Sequence, residues 1–284
     1  MSRNKDRVGA QNQNVETPSP IVQNAAEGFS FVVPTEFVEL PSGGKYYPPG
    51  HPLHNEDTIE IKQMTAKEED ILTSRSLLKK GVALDRVIES LIVNKAIDPA
   101  SLLVGDRNAI IIATRISGYG PQYDTKVTCP ACSAHQEYSF NLKDGNVYGG
   151  ENIGELDITN NNNGTFTVEL PKTKVNATFR LLNGRDEKGL LNAIQNEKKG
   201  NKGLERNMTR QIANIVIAVN DDNSADARNY LINNIPSMDS RHLRLAYRLA
   251  APNVDLIQNF ECSECDFEQE MEVPLSADFF WPDQ

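Results

Sequence analysis

The sequence predicts an α+β fold built by internal duplication of a unit that contains a strand, three helices and a cysteine-bearing hairpin. Two observations carry this prediction. All the cysteines of the chain lie in two Cys-x-x-Cys pairs, which are Cys129 with Cys132 and Cys262 with Cys265. A shift of the first half by 133 residues, from position 129 to 262, brings both pairs into register without a gap and also superposes Asp106 on Asp239. Self-similarity in one register indicates an internal repeat.

The first copy is predicted to begin with a strand at Thr58–Met64 and to continue with helices at about 66–79, 83–95 and 107–117. Thr65 and Glu68 have the spacing of a capping box at the start of the first helix. Gly81 is expected to end that helix, because glycine adopts the left-handed conformation that follows many helices. Asp106 is expected to cap the third helix.

The second copy is predicted to contain a hairpin at 165–182 and helices at about 185–198, 205–219 and 239–250. Asn183 and Asp186 repeat the capping chemistry of the first copy, and Asp239 is the expected cap of the last helix. At the helix starts, Thr65 aligns with Asn183 at a shift of 118 rather than 133 residues, so we infer an insertion of 15 residues in the second copy. The basic, glycine-containing stretch Lys198–Gly203 is the expected place for much of it.

Composition divides the chain into four segments. Residues 1–29 are polar, with few apolar groups, and are expected to form a disordered N-terminal arm. The first repeat covers 30–144, a flexible linker rich in Gly and Asn covers 145–164, and the second repeat covers 165–284.

The two cysteine pairs predict one structural zinc site. Each pair sits between short strand-like segments, 126–128 with 137–140 and 259–261 with 267–273, and thus at the tip of a hairpin. Two such knuckles supply four thiolates, the usual ligand set of a zinc-ribbon-like site, and leave no open position for hydrolytic chemistry. There are two alternatives to a zinc site. The four cysteines could be buried reduced thiols, or one pair could be redox-active, although neither pair lies at the N-terminus of a predicted helix as redox motifs do.

Other motifs have both an ordinary and a functional interpretation. His135 could replace a cysteine ligand or be a solvated hairpin residue, and His51 with His54 could bind a metal or be ordinary loop residues.

The loop Pro41–Gly50 resembles a phosphate loop only superficially, and a turn packed by its tyrosines is the simpler interpretation. Phe279–Pro282 is either a plug for the second knuckle or an exposed anchor. Lys198–Arg210 is either a solvated connection or a nucleic-acid contact.

The net charge of −10 makes nucleic-acid binding an unfavoured interpretation, because such binding depends on neutralising phosphates. The apolar runs are too short to cross a bilayer, and the start lacks an apolar signal stretch, so we expect a protein of the cytoplasm that does not act at a membrane. The sequence contains no recognisable catalytic constellation. We therefore expect a protein that is not an enzyme and has no small-molecule substrate.

The order of several motifs resembles the baseplate hub protein family of T-even-type contractile-tailed bacteriophages. The resemblance rests on Glu39–Tyr47, Met64–Leu72, Gly105–Asp106, Arg115–Gly120, the two cysteine knuckles and Phe279–Pro282. It covers the chain from about residue 36 to the end. It implies a structural or assembly role in the central hub of the tail baseplate, with other hub or tail proteins as partners. The resemblance implies a location in the host cytoplasm during assembly or in the baseplate of the virion. It supplies no catalytic residues.

Two competing hypotheses follow from the same motifs. A zinc-ribbon nucleic-acid-binding or transcription-associated protein would use the two hairpins together with the basic stretch. An enzyme would use Cys129 or Cys262 as a nucleophile and would require an accessible thiolate.

Overall fold

A computed structural model of the chain describes residues 32–199, 207–274 and 277–280. The predicted N-terminal arm and most of the predicted basic insertion lie outside these residues. Helices and strands are mixed along the described chain, which confirms the α+β class.

The first half contains four helices and five strands. In chain order they are β1 (Thr35–Glu39), β2 (Thr58–Lys62), α1 (Ala66–Thr73), α2 (Arg75–Lys80), α3 (Ala83–Leu91), α4 (Val104–Tyr119), β3 (Gln122–Thr128), β4 (His135–Asn141) and β5 (Asn146–Tyr148). β1 pairs with β2 and β3 pairs with β4, both antiparallel.

The second half contains a four-stranded antiparallel sheet in the order β6-β7-β8-β9. Its elements are β6 (Thr159–Asn160), β7 (Thr165–Glu169), β8 (Asn176–Arg180), α5 (Gly184–Lys199), α6 (Asn207–Ile215), β9 (Val216–Val219), α7 (Ala225–Asn234) and α8 (Ser237–Ala250). The strands β10 (Asn253–Asp255), β11 (Ile257–Glu261) and β12 (Glu268–Glu272) follow, and β11 pairs with β12.

Three helix predictions need correction. The predicted helix 66–79 is divided into α1 and α2, because Ser74 is extended with φ −65° and ψ 105°. The predicted helix 205–219 ends at Ile215, and the β-branched run after it forms β9 against β8. The sequence reading missed α7 entirely, although Ser224 caps it through a hydrogen bond from the backbone N–H of Ala227.

The capping interactions predicted at Thr65 and Asn183 are present at the starts of α1 and α5. The Glu68 carboxylate accepts a 3.0 Å hydrogen bond from the backbone N–H of Thr65, as a capping box requires. At α5, the Asn183 side chain accepts from the N–H of Asp186, and the Asp186 carboxylate accepts from the N–H of Asn183.

The buried apolar residues form two cores that do not coincide with the two halves of the sequence. The first core includes Ile61, Leu91 and Ile110, and it also takes in Phe260 and Phe279 from the C-terminal segment. The second core lies between the four-stranded sheet and α6, α7 and α8. The C-terminal segment therefore returns to the N-terminal half.

The segment 145–164, expected as a flexible linker, contains strands that join neighbouring parts of the chain. β5 pairs with β10, and β6 forms one edge of the four-stranded sheet. No observation tests the four-segment division as a whole, and it stays a prediction.

Asp106 and Asp239 each bind a turn that follows the sequence Val-Glu-Leu-Pro. Asp106 lies in the first turn of α4 and accepts hydrogen bonds from the N–H of Ser42 (3.0 Å), its hydroxyl (2.7 Å) and the Tyr47 hydroxyl (2.7 Å). Asp239 lies in the first turn of α8 and accepts from the N–H of Lys172 (2.8 Å) and from the N–H (2.9 Å) and hydroxyl (2.8 Å) of Thr173. Both side chains are fully buried. Each aspartate thus fixes a hairpin turn to a helix, instead of capping the helix as expected.

Arg115 fastens the C-terminal segment to α4. Its guanidinium is fully buried and donates to the carbonyl oxygens of Phe279 (2.6 Å), Gly120 (2.8 Å) and Gln122 (3.1 Å). The Phe279 ring also makes an edge contact with Tyr123 of β3. Phe279 is therefore a core residue that packs on the β3–β4 hairpin, and it is not an exposed anchor.

We predict that Asp106→Ala lowers the free energy of unfolding by about 3 kcal/mol, because it leaves two buried hydroxyls and one N–H without their acceptor. Urea denaturation checks this value. Asp124→Ala, at an exposed position of β3, is the control and should change stability by less than about 0.5 kcal/mol. A loss below about 1 kcal/mol for Asp106→Ala would contradict the assigned role.

We predict opposite pH dependences for Asp106→Asn and Asp239→Asn. Burial raises the pKa of Asp239, but the donors of Lys172 and Thr173 outweigh it, so the pKa is lowered overall. The wild type should then have a higher free energy of unfolding than Asp239→Asn above the ordinary aspartate pKa of about 3.9. This difference should be lost as pH falls through the lower pKa that Asp239 has in the folded protein.

Burial raises the pKa of Asp106 more than its hydrogen bonds lower it. The difference in the free energy of unfolding between the wild type and Asp106→Asn should then be fully present below about pH 3.9. It should decrease as pH rises through the pKa that Asp106 has in the folded protein. Unfolding free energies measured across acidic pH for both variants check the signs. Two profiles with the same slope would contradict this assignment.

Candidate metal centre

Two hairpins of the same local geometry carry the four cysteines. The first hairpin is β3–β4 with its turn, and the second hairpin is β11–β12 with its turn. In the first, the N–H of Cys129 donates to the carbonyl of Ala134 and the N–H of Ser133 donates to that of Cys129, both at 2.9 Å. In the second, the N–H of Cys262 donates to the carbonyl of Phe267 at 2.9 Å, and the N–H of Asp266 donates to the carbonyl of Cys262 at 3.0 Å.

The turns also share a left-handed residue, which is Ser133 with φ 61° in the first hairpin and Asp266 with φ 54° in the second. This conformation reverses the chain directly after each second cysteine. Both sulfurs of a pair therefore face the same side of their hairpin tip.

Polar and aromatic contacts hold the two hairpins against each other. The Gln136 amide donates to the carbonyl of Glu261 at 3.1 Å and accepts from the N–H of Ser263 at 3.0 Å. The Tyr138 hydroxyl donates to the carbonyl of Asn259 at 3.0 Å, and its ring lies 5.2 Å from that of Phe260. These contacts align the hairpins independently of the sulfur atoms.

The four sulfur atoms all lie within 4.8 Å of one another. The Sγ atoms of Cys129 and Cys265 are 3.8 Å apart, and those of Cys132 and Cys262 are 3.7 Å apart. Four sulfurs at about 2.3 Å from a tetrahedral zinc ion are about 3.8 Å from each other. The two cross-hairpin distances fit this arrangement without any movement of the backbone.

The thiols differ in exposure and in proton affinity. Cys129 and Cys262 are buried, whereas Cys132 and Cys265 are exposed at the tips. The backbone N–H of Cys132 is the main cause that lowers the pKa of the Cys129 thiol to about 7. The N–H of Phe267 acts in the same sense on Cys265, but the neighbouring thiols and burial outweigh it and raise the pKa of Cys265 to about 12. The two thiols therefore differ in how readily they lose a proton.

The histidines considered as alternative ligands contact other residues. His135 Nδ1 lies 2.8 Å from the Thr128 hydroxyl across the first hairpin. His51 Nε2 lies 2.9 Å from the Ser101 hydroxyl, and its ring stacks on Tyr47. Among the described residues, the four cysteines are the only group of three or more His, Cys, Asp or Glu side chains whose ligand atoms converge.

The loop Pro41–Gly50 is packed by its tyrosines, as the simpler interpretation expected. Tyr47 is buried, and its hydroxyl both donates to Asp106 and accepts from the N–H of Leu103. The Tyr46 ring lies 5.5 Å from that of Phe166 in the second core. The loop thus connects the two cores. Trp281 lies outside the described residues.

Sequence reasoning missed two features of the site region. The repeated Val-Glu-Leu-Pro at 38–41 and 168–171 was a readable signal for the matching turns that Asp106 and Asp239 bind. The contacts of Gln136 between the hairpins had no such signal, because a glutamine in a strand is compatible with many surroundings.

A family model described as T4 bacteriophage base plate protein matches residues 33–281. Searches of curated proteins and of solved structures give no significant match. Within the described ranges, no helix is long and apolar enough to cross a membrane. Because the family model spans most of the chain, this protein belongs to the T4 bacteriophage base plate protein family.

Proposed function

We propose that the protein is a non-enzymatic structural or assembly component of the central hub of the phage tail baseplate and that it acts through contacts with other hub or tail proteins. The family match over residues 33–281 carries this proposal, since it covers both hairpins and both cores. The baseplate is part of the phage tail, so the proposed sites of action are the tail itself and the host cytoplasm in which tails assemble.

We propose further that Cys129, Cys132, Cys262 and Cys265 bind one structural zinc ion. The cross-hairpin sulfur distances of 3.7 and 3.8 Å support it. A bound zinc would supply the positive charge that four converging thiolates require, and with four sulfur ligands it has no open coordination position. This supports a stabilising role for the metal, without hydrolytic chemistry.

The internal duplication also remains a proposal. It is supported by the matching turns of the two hairpins, with left-handed residues at 133 and 266, and by the two aspartates that bind turns after Val-Glu-Leu-Pro. The left-handed residues and the two aspartates are each separated by the 133 residues of the proposed repeat, and the two Val-Glu-Leu-Pro segments by 130. The helices are less alike, since α6, β9 and α7 occupy the region where the first copy has α2 and α3.

The nucleic-acid alternative gains no support from the second hairpin. Its strands carry Glu261, Glu268, Glu270 and Glu272, all exposed, and these charges would repel a phosphate backbone.

We predict that natively purified protein contains about one zinc ion per chain and that Cys132→Ser and Cys265→Ser each lose most of it, because zinc needs all four thiolates for a closed site. Metal analysis by mass spectrometry checks the stoichiometry. Removal of zinc by a chelator should lower the melting temperature of the wild type far more than that of the variants.

His135→Ala is the matched control and should keep its zinc, since the imidazole is engaged with Thr128. Full zinc content in the cysteine variants, or loss of zinc in His135→Ala, would contradict the assigned ligand set.

We predict that affinity capture of the tagged protein from phage-infected cells recovers tail baseplate proteins. Quantitative mass spectrometry of the captured material, beside purified virions, measures the partners and shows whether the protein stays in the particle. Recovery of transcription machinery without tail proteins would instead favour the nucleic-acid alternative.

A further inference from the structure

The outer face of the second hairpin is acidic and entirely exposed. In its antiparallel register Ile257 lies opposite Glu272, Asn259 opposite Glu270, and Glu261 opposite Glu268. Directly opposite residues point to the same side of a sheet, so these six side chains form one face. All six are exposed, whereas Phe260 on the other face is buried against the first hairpin.

The first hairpin has the same geometry, but the acidic residues of its outer face, Asp124 and Glu137, are accompanied by Lys126. There Lys126 lies opposite Glu137, and Thr128 lies opposite His135 with a 2.8 Å side-chain contact. The second hairpin has Glu261 and Glu268 at the positions of Thr128 and His135. Like charges directly opposite each other destabilise a pair of strands.

This repulsion is not compensated nearby. The 36 residues after Arg248 include nine aspartates and glutamates and no lysine or arginine. Within the described parts of the chain, no ion pair involves the four glutamates of the face. A local arrangement that is costly to the isolated chain indicates a partner that supplies positive charge.

The exposed face of α8 has the complementary chemistry. Met238, Arg241, Leu245 and Arg248 follow one another at intervals of three and four residues, which places them on one side of the helix. All four are exposed, and the opposite side of α8 packs into the second core through Leu243, Ala246 and Ala250. The one acidic residue of α8, Asp239, is buried and already bound to the turn at 172–173. Arg241 and Arg248 form no ion pair with any described residue.

We propose that α8 of one copy of this chain docks on the outer face of the second hairpin of another copy, so that Arg241 and Arg248 neutralise its glutamates. The lengths agree, since the α8 face spans about 15 Å at 1.5 Å per residue and the hairpin face spans about 14 Å at 3.4 Å per residue. The apolar side chains also correspond, because Leu245 and Met238 of α8 are 40% and 56% exposed and Ile257 of the hairpin is 48% exposed.

Such a contact joins two different surfaces and is therefore heterologous. It adds copies head to tail and closes into a ring when the rotation between neighbours permits. This inference extends the proposed function by naming a second copy as one partner, and it is independent of the metal and of the hub assignment.

Sedimentation velocity of the full chain over a range of concentrations tests the contact. In about 0.05 M salt we expect reversible oligomers that dissociate as salt rises to about 0.5 M, because exposed charges are then screened. Glu268→Lys with Glu270→Lys, and separately Arg241→Glu with Arg248→Glu, should each weaken association at least about tenfold. An equimolar mixture of the two double variants should associate again, since each restores the charge that the other has lost.

Asp124→Lys with Glu137→Lys makes the same change of net charge on the first hairpin and should leave association unchanged. A wild type that is monomeric at about 100 μM in low salt would overturn the proposal, because the attraction between the two charged faces is screened least under that condition. The proposal would also be overturned if the control variant weakened association as much as the hairpin variant does, or if the mixture of the two double variants failed to associate. It would likewise be overturned if the protein were a monomer whose second hairpin binds only a different, basic protein.

Discussion

The convergence of four sulfur atoms within 4.8 Å is the constraint on which the rest of the structure depends. Four thiolates at this separation would repel one another. The proposed metal ion would remove this repulsion and would link residues that are far apart in the sequence. Closing such a long loop restricts the unfolded chain strongly, so one ion can stabilise the whole first core.

The protein also aligns the hairpins by contacts that need no metal. β10 pairs with β5, Gln136 bridges the two hairpins, and the Arg115 guanidinium holds the carbonyl of Phe279. These contacts explain why the sulfur distances already match a tetrahedral ion. They also explain why the first core contains residues from both ends of the described chain, and why the C-terminal segment cannot be treated as an independent unit.

Patterns that depend on local chemistry were predictable from the sequence, and patterns that depend on tertiary contacts were not. The caps at Thr65 and Asn183, the hairpins at the cysteines and the convergence of the two pairs follow from residue type and spacing. β9 was assigned to a helix because an apolar run of four residues has no distinctive period, and its pairing with β8 decides its conformation. Asp106 was read as a cap because an aspartate at a helix start usually is one. Its actual partners, Ser42 and Tyr47, are about 60 residues away in the sequence and leave no local signal.

The two hairpins share the same turn geometry but differ in their outer faces. The proposed metal site and the proposed contact surface therefore lie on different parts of the second hairpin. X-ray absorption at the zinc edge of natively purified protein measures the atoms that surround the proposed metal ion. We predict a single shell of four sulfur atoms at about 2.3 Å. A shell that contains nitrogen or oxygen ligands, or protein that holds no stoichiometric zinc, would contradict it.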